Sequence, residues 1–237
     1  MAPRNLSEQL LHDLGEKIIE GKLKPGHVLP KVEDISEENG VSRTVVREAL
    51  KGLAARRLVE SSTKVGTVVR ERSDWQWWDP DVIAWASQSN NSKHVLLQLT
   101  EVRMAIEPAA VELAAKKATE VDLNRIKECY KKLETSLGNE EEWAKADTEF
   151  HHSILAASHN ELMISLIKIL QGGLLHSRIQ TIQSIDQEEV LKRHKELMEA
   201  VCSRNGKLAR EKMYELLTRV GQVIEDPNQN KIHTSYS

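Results

Sequence analysis

From Asn39 to Leu53 the chain carries a turn signal followed at once by a short helical repeat, and this pairing limits the fold more than anything else in the sequence. Asn39-Gly40 is a chain-reversal pair, since both residues tolerate positive φ. Ser42 follows in the place of a helix N-cap, its hydroxyl set to accept from an orphan backbone N–H. Val46, Ala49, Leu50 and Leu53 then recur at i, i+3, i+4 and i+7, which gathers them on one face toward a core. Ser42, Arg43, Thr44 and Arg47 project the other way, from the N-terminal half of the same helix. A turn and second helix of this kind form a helix-turn-helix, whose N-terminal half enters the major groove of duplex DNA. There arginine forks onto guanine or phosphate. The reading requires Arg43 and Arg47 to stand clear of their own hydrophobic packing.

The flanking segments extend that pattern. Leu6, Leu10, Leu14 and Ile18 mark an amphipathic helix that Gly21 ends. Lys24-Pro25-Gly26 makes a turn, and Leu29-Pro30 leads into a short helix over roughly Val32–Glu38. Leu58–Ser61 and Thr67–Arg70 pair as strands around a Lys64-Val65-Gly66 tip. Helices followed by such a hairpin make a winged helix-turn-helix over residues 1–72. The wing lies on the minor groove or adjacent backbone, a use for Lys64 and for the bare backbone at Gly66. An amphipathic helix with exposed arginines is by itself a common texture; the ordered run of elements sets this one apart.

Charge and composition set the remaining bounds. Charged residues make up 29% of the 237 and hydrophobic ones 40%, ordinary values for a soluble globular protein with one or two domains. The net charge of −3 does not advertise a nucleic-acid partner, but residues 1–72 hold thirteen Lys and Arg against eleven Asp and Glu, so the N-terminal part is the basic one. No apolar run approaches the ~20 residues of a membrane span, and the start of the chain is too charged for a signal peptide. Cys129 and Cys202 are the only cysteines. Two thiols offer no disulfide or zinc-finger framework and suit a reducing cytoplasm.

Residues 73–92 form a linker and short helix in which Trp75, Trp77, Trp78 and Trp85 surround Asp79-Pro80-Asp81. Base stacking is one use for such a cluster, but basic residues interleave poorly with it, and packing between two domains is the preferred expectation. Over 93–226 everything reads as helix. Apolar periodicity recurs through Val95–Ala118, Asp122–Leu137, Glu141–Ala157, Glu161–Ile182, Gln187–Ser203 and Lys207–Ile224, with polar or glycine breaks between. The fold class is therefore mainly α: a winged helix-turn-helix, then an all-α bundle, then a flexible polar tail over 227–237.

One constellation in the bundle carries chemistry. Asp147 and His151 are spaced i, i+4 and share a helix face bracketed by Phe150, Ile154 and Leu155. His194 lies in a later helix among Leu191, Leu197 and Met198. A carboxylate and two imidazoles are a ligand set for a divalent transition metal, although an Asp/His pair at this spacing is more often a surface hydrogen bond. His152 points about 100° away around the same helix. Arg103 offers a planar fork for a carboxylate; its plainer role is a solvated pair with Glu107 one turn on. His176, Ser177 and Arg178 either line a pocket or only pack.

Gly21-Lys22-Leu23-Lys24-Pro25-Gly26, Leu29-Pro30, the run Val41–Leu50 and the Gly66 wing resemble the GntR family of bacterial transcription regulators. The chain departs from that family's pattern after Pro30, where Lys31-Val32 replaces the usual Ser-Glu; Lys31 remains within reach of phosphate. Arg103 with Glu107-Pro108, Ala146-Asp147…Phe150-His151 and His194…Ala200-Val201 are similar to the FCD domain of the FadR-type subgroup. That resemblance implies a metal, zinc or a similar divalent ion, held by Asp147, His151 and His194. The position of the usual fourth ligand is taken by Leu216. It also implies a small carboxylate effector bound by the same three residues and Arg103, able to chelate through its carboxylate and a hydroxyl. The Trp75–Trp85 stretch and the missing fourth ligand resemble the branch concerned with galactonate-like sugar acids, which implies an aldonate effector. A homodimer, each half reading half of a palindromic double-stranded operator, with effector controlling repression, completes what the family implies. Two alternatives stay open: a metal-free FCD regulator of another carboxylate, and a metal-dependent hydrolase or lyase built on Asp147, His151 and His194.

Overall fold

The computed structural model describes residues 5–90, 92–182 and 186–226, with 171–182 given by backbone alone except at Gly173. By contacts the chain divides into two units, one ending at Ser92 and the other beginning at Lys93.

The first unit opens with α1 (Leu6–Ile19), capped by Asn5, which accepts from the Glu8 amide while the Glu8 carboxylate returns to the Asn5 amide. Leu10, Leu14 and Ile18 are buried, whereas Leu6 is 56% exposed at the open end of the stripe. The turn between α2 (Val32–Glu38) and α3 (Arg43–Ala55) uses one left-handed residue, Gly40 at φ 61°. Asn39 keeps a negative φ and donates its side-chain amide to the Ile35 carbonyl instead. Ser42 caps α3 by accepting from the Val45 amide at 3.3 Å, a bond of a kind worth about 1 kcal/mol. Val46, Ala49 and Leu53 are buried beneath α3, and Leu50 is only half-buried at the edge of that stripe.

Strands β1 (Val59–Ser62) and β2 (Gly66–Val69) pair antiparallel, Val59 opposite Val69 and Ser62 opposite Gly66; Ser61 faces Thr67 as the sequence implies, and both strands run one residue nearer the tip than expected. The segment after Pro25 joins the wing as well: Val28 bridges Val68, and the Leu29 amide donates to the Thr67 carbonyl. Helix α4 (Pro80–Gln88) follows, with Asp79 as N-cap and Pro80 at its first position, where the missing N–H costs nothing.

The tryptophans correct an expectation. Trp85 is 4% exposed and lies against Gly15 of α1, where a Cβ would come within 2.6 Å of the indole. Trp75 and Trp77 donate their indole N–H groups to the carbonyls of Arg70 and Arg72, and the Arg72 guanidinium lies 4.7 Å from the Trp77 ring. These aromatic groups find partners inside the first unit, so the stretch set apart as a linker serves that unit's own packing. Trp78 is exposed.

In the second unit the regular structure among the described residues is all helix: α5 (Ser92–Lys117), α6 (Glu120–Thr135), α7 (Glu140–Ala156), α8 (Glu161–Ile182), α9 (Gln187–Cys202) and α10 (Gly206–Glu225). Thr119, Asn139, Asp186 and Asn205 cap four of them through their side chains, which is why the polar breaks in the sequence mark the ends so well. Ile126, Leu133, Phe150, Ile154, Leu197, Met213 and Leu217 are fully buried at the centre. Cys129 joins that core, while Cys202 is only half-buried, where burial pushes its thiol up. Among the described residues no helix is long and apolar enough to cross a membrane. The tail expected over 227–237 lies outside the described residues, as do the side chains of His176, Ser177 and Arg178.

Candidate functional site

Helix α7 presents Asp147 and His151 one turn apart, and α9 brings His194 up to them. All three are buried, at 7%, 7% and 2% exposure. The Nε2 of His194 is 2.8 Å from Asp147 Oδ1 and 3.1 Å from His151 Nε2, and the His151 Nε2 is 3.7 Å from the same Asp147 oxygen. The Phe150 ring walls the group, with centroids 5.3 Å from His194 and 5.7 Å from His151.

The donor set suits a cation. His194 Nδ1 lies 2.7 Å from the Val190 carbonyl, which can only accept, so that nitrogen carries a proton. In a neutral ring the Nε2 lone pair then faces the Asp147 oxygen and the His151 nitrogen. Three electron-rich atoms brought so close out of water repel unless a proton or a metal ion stands among them. A transition-metal ion about 2.1 Å from each of three ligands sets them roughly 3.0–3.4 Å apart, and the observed separations bracket that range. The carbonyl of Val190 is the outer partner that ligating histidines ordinarily have, holding ring and tautomer. Leu216 is buried among apolar side chains and offers no lone pair.

Arg103 lies outside this cluster, on α5. Its pairing with Glu107 is present but not solvated, which corrects the sequence expectation: Nε donates to Oε1 at 2.7 Å, and the two residues are 3% and 1% exposed. Burial of both partners makes the bond far harder to lose than a surface pair, because removing one leaves the other charged in a poor solvent. His152 looks away from the cluster and lines a polar groove of about 520 Å³ with Asp122, Arg125 and Glu149. Burial, then the nearby Lys168 charge, holds its imidazole below the usual value.

On the first unit, Ser42, Arg43, Thr44 and Arg47 are exposed along the N-terminal half of α3, and Lys31, Lys64 and Gly66 are exposed at the start of α2 and on the wing. Gly66 takes φ 105°, a conformation that side chains resist. Arg43 is not free as expected: its Nη1 is 3.3 Å from Glu33 of α2, with the two side chains 63% and 45% exposed. A pair so open is worth less than about 1 kcal/mol and gives way readily to phosphate.

Residues 6–69 match the family described as bacterial regulatory proteins, gntR family, and residues 98–219 match the FCD domain. The chain belongs to the GntR family. Among its relatives, the galactonate operon transcriptional repressor of Escherichia coli (strain K12) is 29% identical over 208 residues, 86% of this chain and 90% of the relative. The HTH-type transcriptional regulator LutR of Bacillus subtilis (strain 168) is 34% identical over 210 residues, 86% of this chain and 94% of LutR. Among solved structures, Lar, which controls the expression of the Listeria monocytogenes agr system, shares the fold with a TM-score of 0.67 at 21% identity, over 95% of this chain and 99% of that one. This GntR protein is thus a DNA-binding transcription regulator with an FCD effector domain, and the hydrolase or lyase alternative falls.

Sequence reasoning missed Arg56. It carries no motif, and its partners Asp79 and Asp81 lie more than twenty residues on.

Proposed function

We propose that this GntR protein represses a sugar-acid catabolic operon in the cytoplasm and releases its operator when an aldonate binds the FCD domain. The observation that carries the reading is the buried convergence of Asp147, His151 and His194. A divalent ion such as zinc, held there by those three residues, would supply a Lewis-acidic anchor for a carboxylate. With Leu216 at the usual fourth position, the described residues supply three protein ligands, which leaves room for a hydroxy acid. Arg103 contributes positive charge to the effector, moderated by Glu107. The similarity to the galactonate operon transcriptional repressor supports the effector class.

Two copies act as a two-fold dimer, each presenting Ser42, Arg43, Thr44 and Arg47 to a half-site in the major groove. Lys31, Lys64 and the Gly66 backbone meet phosphate. Coupling between effector and operator is reciprocal, so operator DNA weakens effector binding by the factor by which effector weakens operator binding.

The experiment is a thermal-shift titration of sugar acids, galactonate first, with and without added zinc. A ligand of the folded state raises the melting temperature with concentration. A shift with galactonate that requires zinc supports the reading. An equal shift in metal-stripped protein favours a metal-free regulator, and no shift with any sugar acid removes the effector class.

A further inference from the structure

Arg56, the residue that closes the C-terminal end of α3, differs from Arg43 and Lys51 in what surrounds it. Its side chain is 19% exposed, against 63% and 73% for the other two. Every arm of its guanidinium is engaged: Nε with Asp79 Oδ1 at 3.1 Å, Nη2 with Asp81, and Nη1 with the Gly52 carbonyl at 3.1 Å. The group also lies 5.7 Å from the centroid of the Trp85 ring, and the Arg56 carbonyl accepts from the Gln76 amide at 3.0 Å. Asp79 is meanwhile the N-cap of α4. The last turn of α3 is therefore tied to the first turn of α4, and Trp85 ties α4 in turn to Gly15 of α1.

We propose that Arg56 is a positioning residue for DNA recognition: by fastening the C-terminal end of α3 to Asp79 and Asp81, it sets the angle at which Arg43 and Arg47 meet the groove. At 3.6 residues per turn it sits roughly 220° around the helix from Arg43, so it does not share the DNA-facing side. The buried residues Val46, Ala49 and Leu53 hold α3 along a single stripe, and a stripe resists sliding better than pivoting. Arg56 continues that side of the helix past its end and adds a second, charged point of attachment there. Thirteen residues span about 20 Å, so a swing of about 5° at Arg56 moves Arg43 by about 1.7 Å. A bidentate contact to guanine tolerates only a few tenths of an ångström. The inference rests on α3 being the recognition helix.

The test uses the full chain and a duplex that the parent protein selects from a random pool. Affinity for this duplex and for an unrelated one of equal length is measured over a range of salt, at temperatures below the melting onset of each variant. Arg56→Ala and Asp81→Asn are each expected to weaken the selected duplex about tenfold while leaving the unrelated one within about twofold and the salt slope unchanged. Arg56→Lys, which keeps the charge and loses the fork, behaves like Arg56→Ala, and combining Arg56→Ala with Asp81→Asn costs no more than either alone. Asp81→Asn decides the matter, since removing an acid strengthens attraction to phosphate on charge grounds alone. Tighter binding to both duplexes in Asp81→Asn overturns the proposal. So does a salt slope shallower by about 1 in Arg56→Ala, which marks a direct phosphate contact. A parent protein that selects no duplex overturns the recognition-helix reading and this inference together.

Discussion

The Nε2 of His194 lies 2.8 Å from an Asp147 carboxylate oxygen, in a site sealed from water, while the opposite ring nitrogen is committed to the Val190 carbonyl. Neither atom of that short contact is easily replaced. Asp147→Ala is expected to weaken zinc binding at least about a hundredfold, with melting and DNA binding of the zinc-free protein kept. Elemental analysis of purified protein reads this directly; metal content equal to the parent's removes Asp147 from the ligand set.

Gly15 has no room for a side chain. A methyl group there meets the Trp85 ring at 2.6–2.9 Å, and the indole is too rigid to yield without moving α4. Gly15→Ala is expected to cost about 1–3 kcal/mol by overpacking, despite alanine's better helix propensity. Denaturant unfolding checks the sign: a more stable variant would mean that α4 gives way freely.

Arg43 and Arg47 are one turn apart on the exposed side of α3. Arg47→Ala should lower operator affinity by about 1–3 kcal/mol with the melting temperature unchanged. Arg43→Ala should do the same, less whatever its exposed pair with Glu33 already offsets. Gel-shift titrations of both variants measure this, and full operator affinity in both would take α3 off the reading surface.

Asp122 ties the start of α6 to the residues after α7. Burial pushes its carboxyl up, but hydrogen bonds from the Thr119 side chain and amide and from His159 outweigh that and hold it below the usual carboxylate value. The folded chain then takes up this proton less readily than the unfolded one. The resulting stability is present above the ordinary Asp range, near pH 4, and disappears as pH falls through the folded value. The gap in melting temperature between parent and Asp122→Asn should be widest near neutral pH and close in acid; a gap constant from pH 7 to 3 contradicts the linkage.

Local chemistry made the elements legible. Apart from α2, which begins at Lys31, the helices with a described cap begin at Ser, Thr, Asp or Asn and carry a 3.6-residue apolar repeat, so Ser42, Thr119, Asn139, Asp186 and Asn205 announce where they start. Asp147 and His151 were legible as a shared helix face by spacing alone, whereas His194, 43 residues beyond His151, could be grouped with them only by residue type and its apolar neighbours, with the family resemblance in support. Partnership across elements left no such trace. Nothing local says that Arg103 and Glu107 are buried, that Glu33 reaches Arg43, or that Arg56 closes on Asp79 and Asp81. Tryptophan announces burial without naming what covers it, which is why sequence alone puts Trp85 at a seam between domains, whereas Gly15 on α1, three helices earlier, receives it.

That glycine carries a practical consequence for building chimeric regulators. A splice made near residue 72 would graft an indole onto a foreign first helix with no notch to admit it, and would part a guanidinium from both of its acids. Exchanging reading heads among family members should succeed when the cut falls beyond Gln88, so that notch, ring and ion pairs travel together.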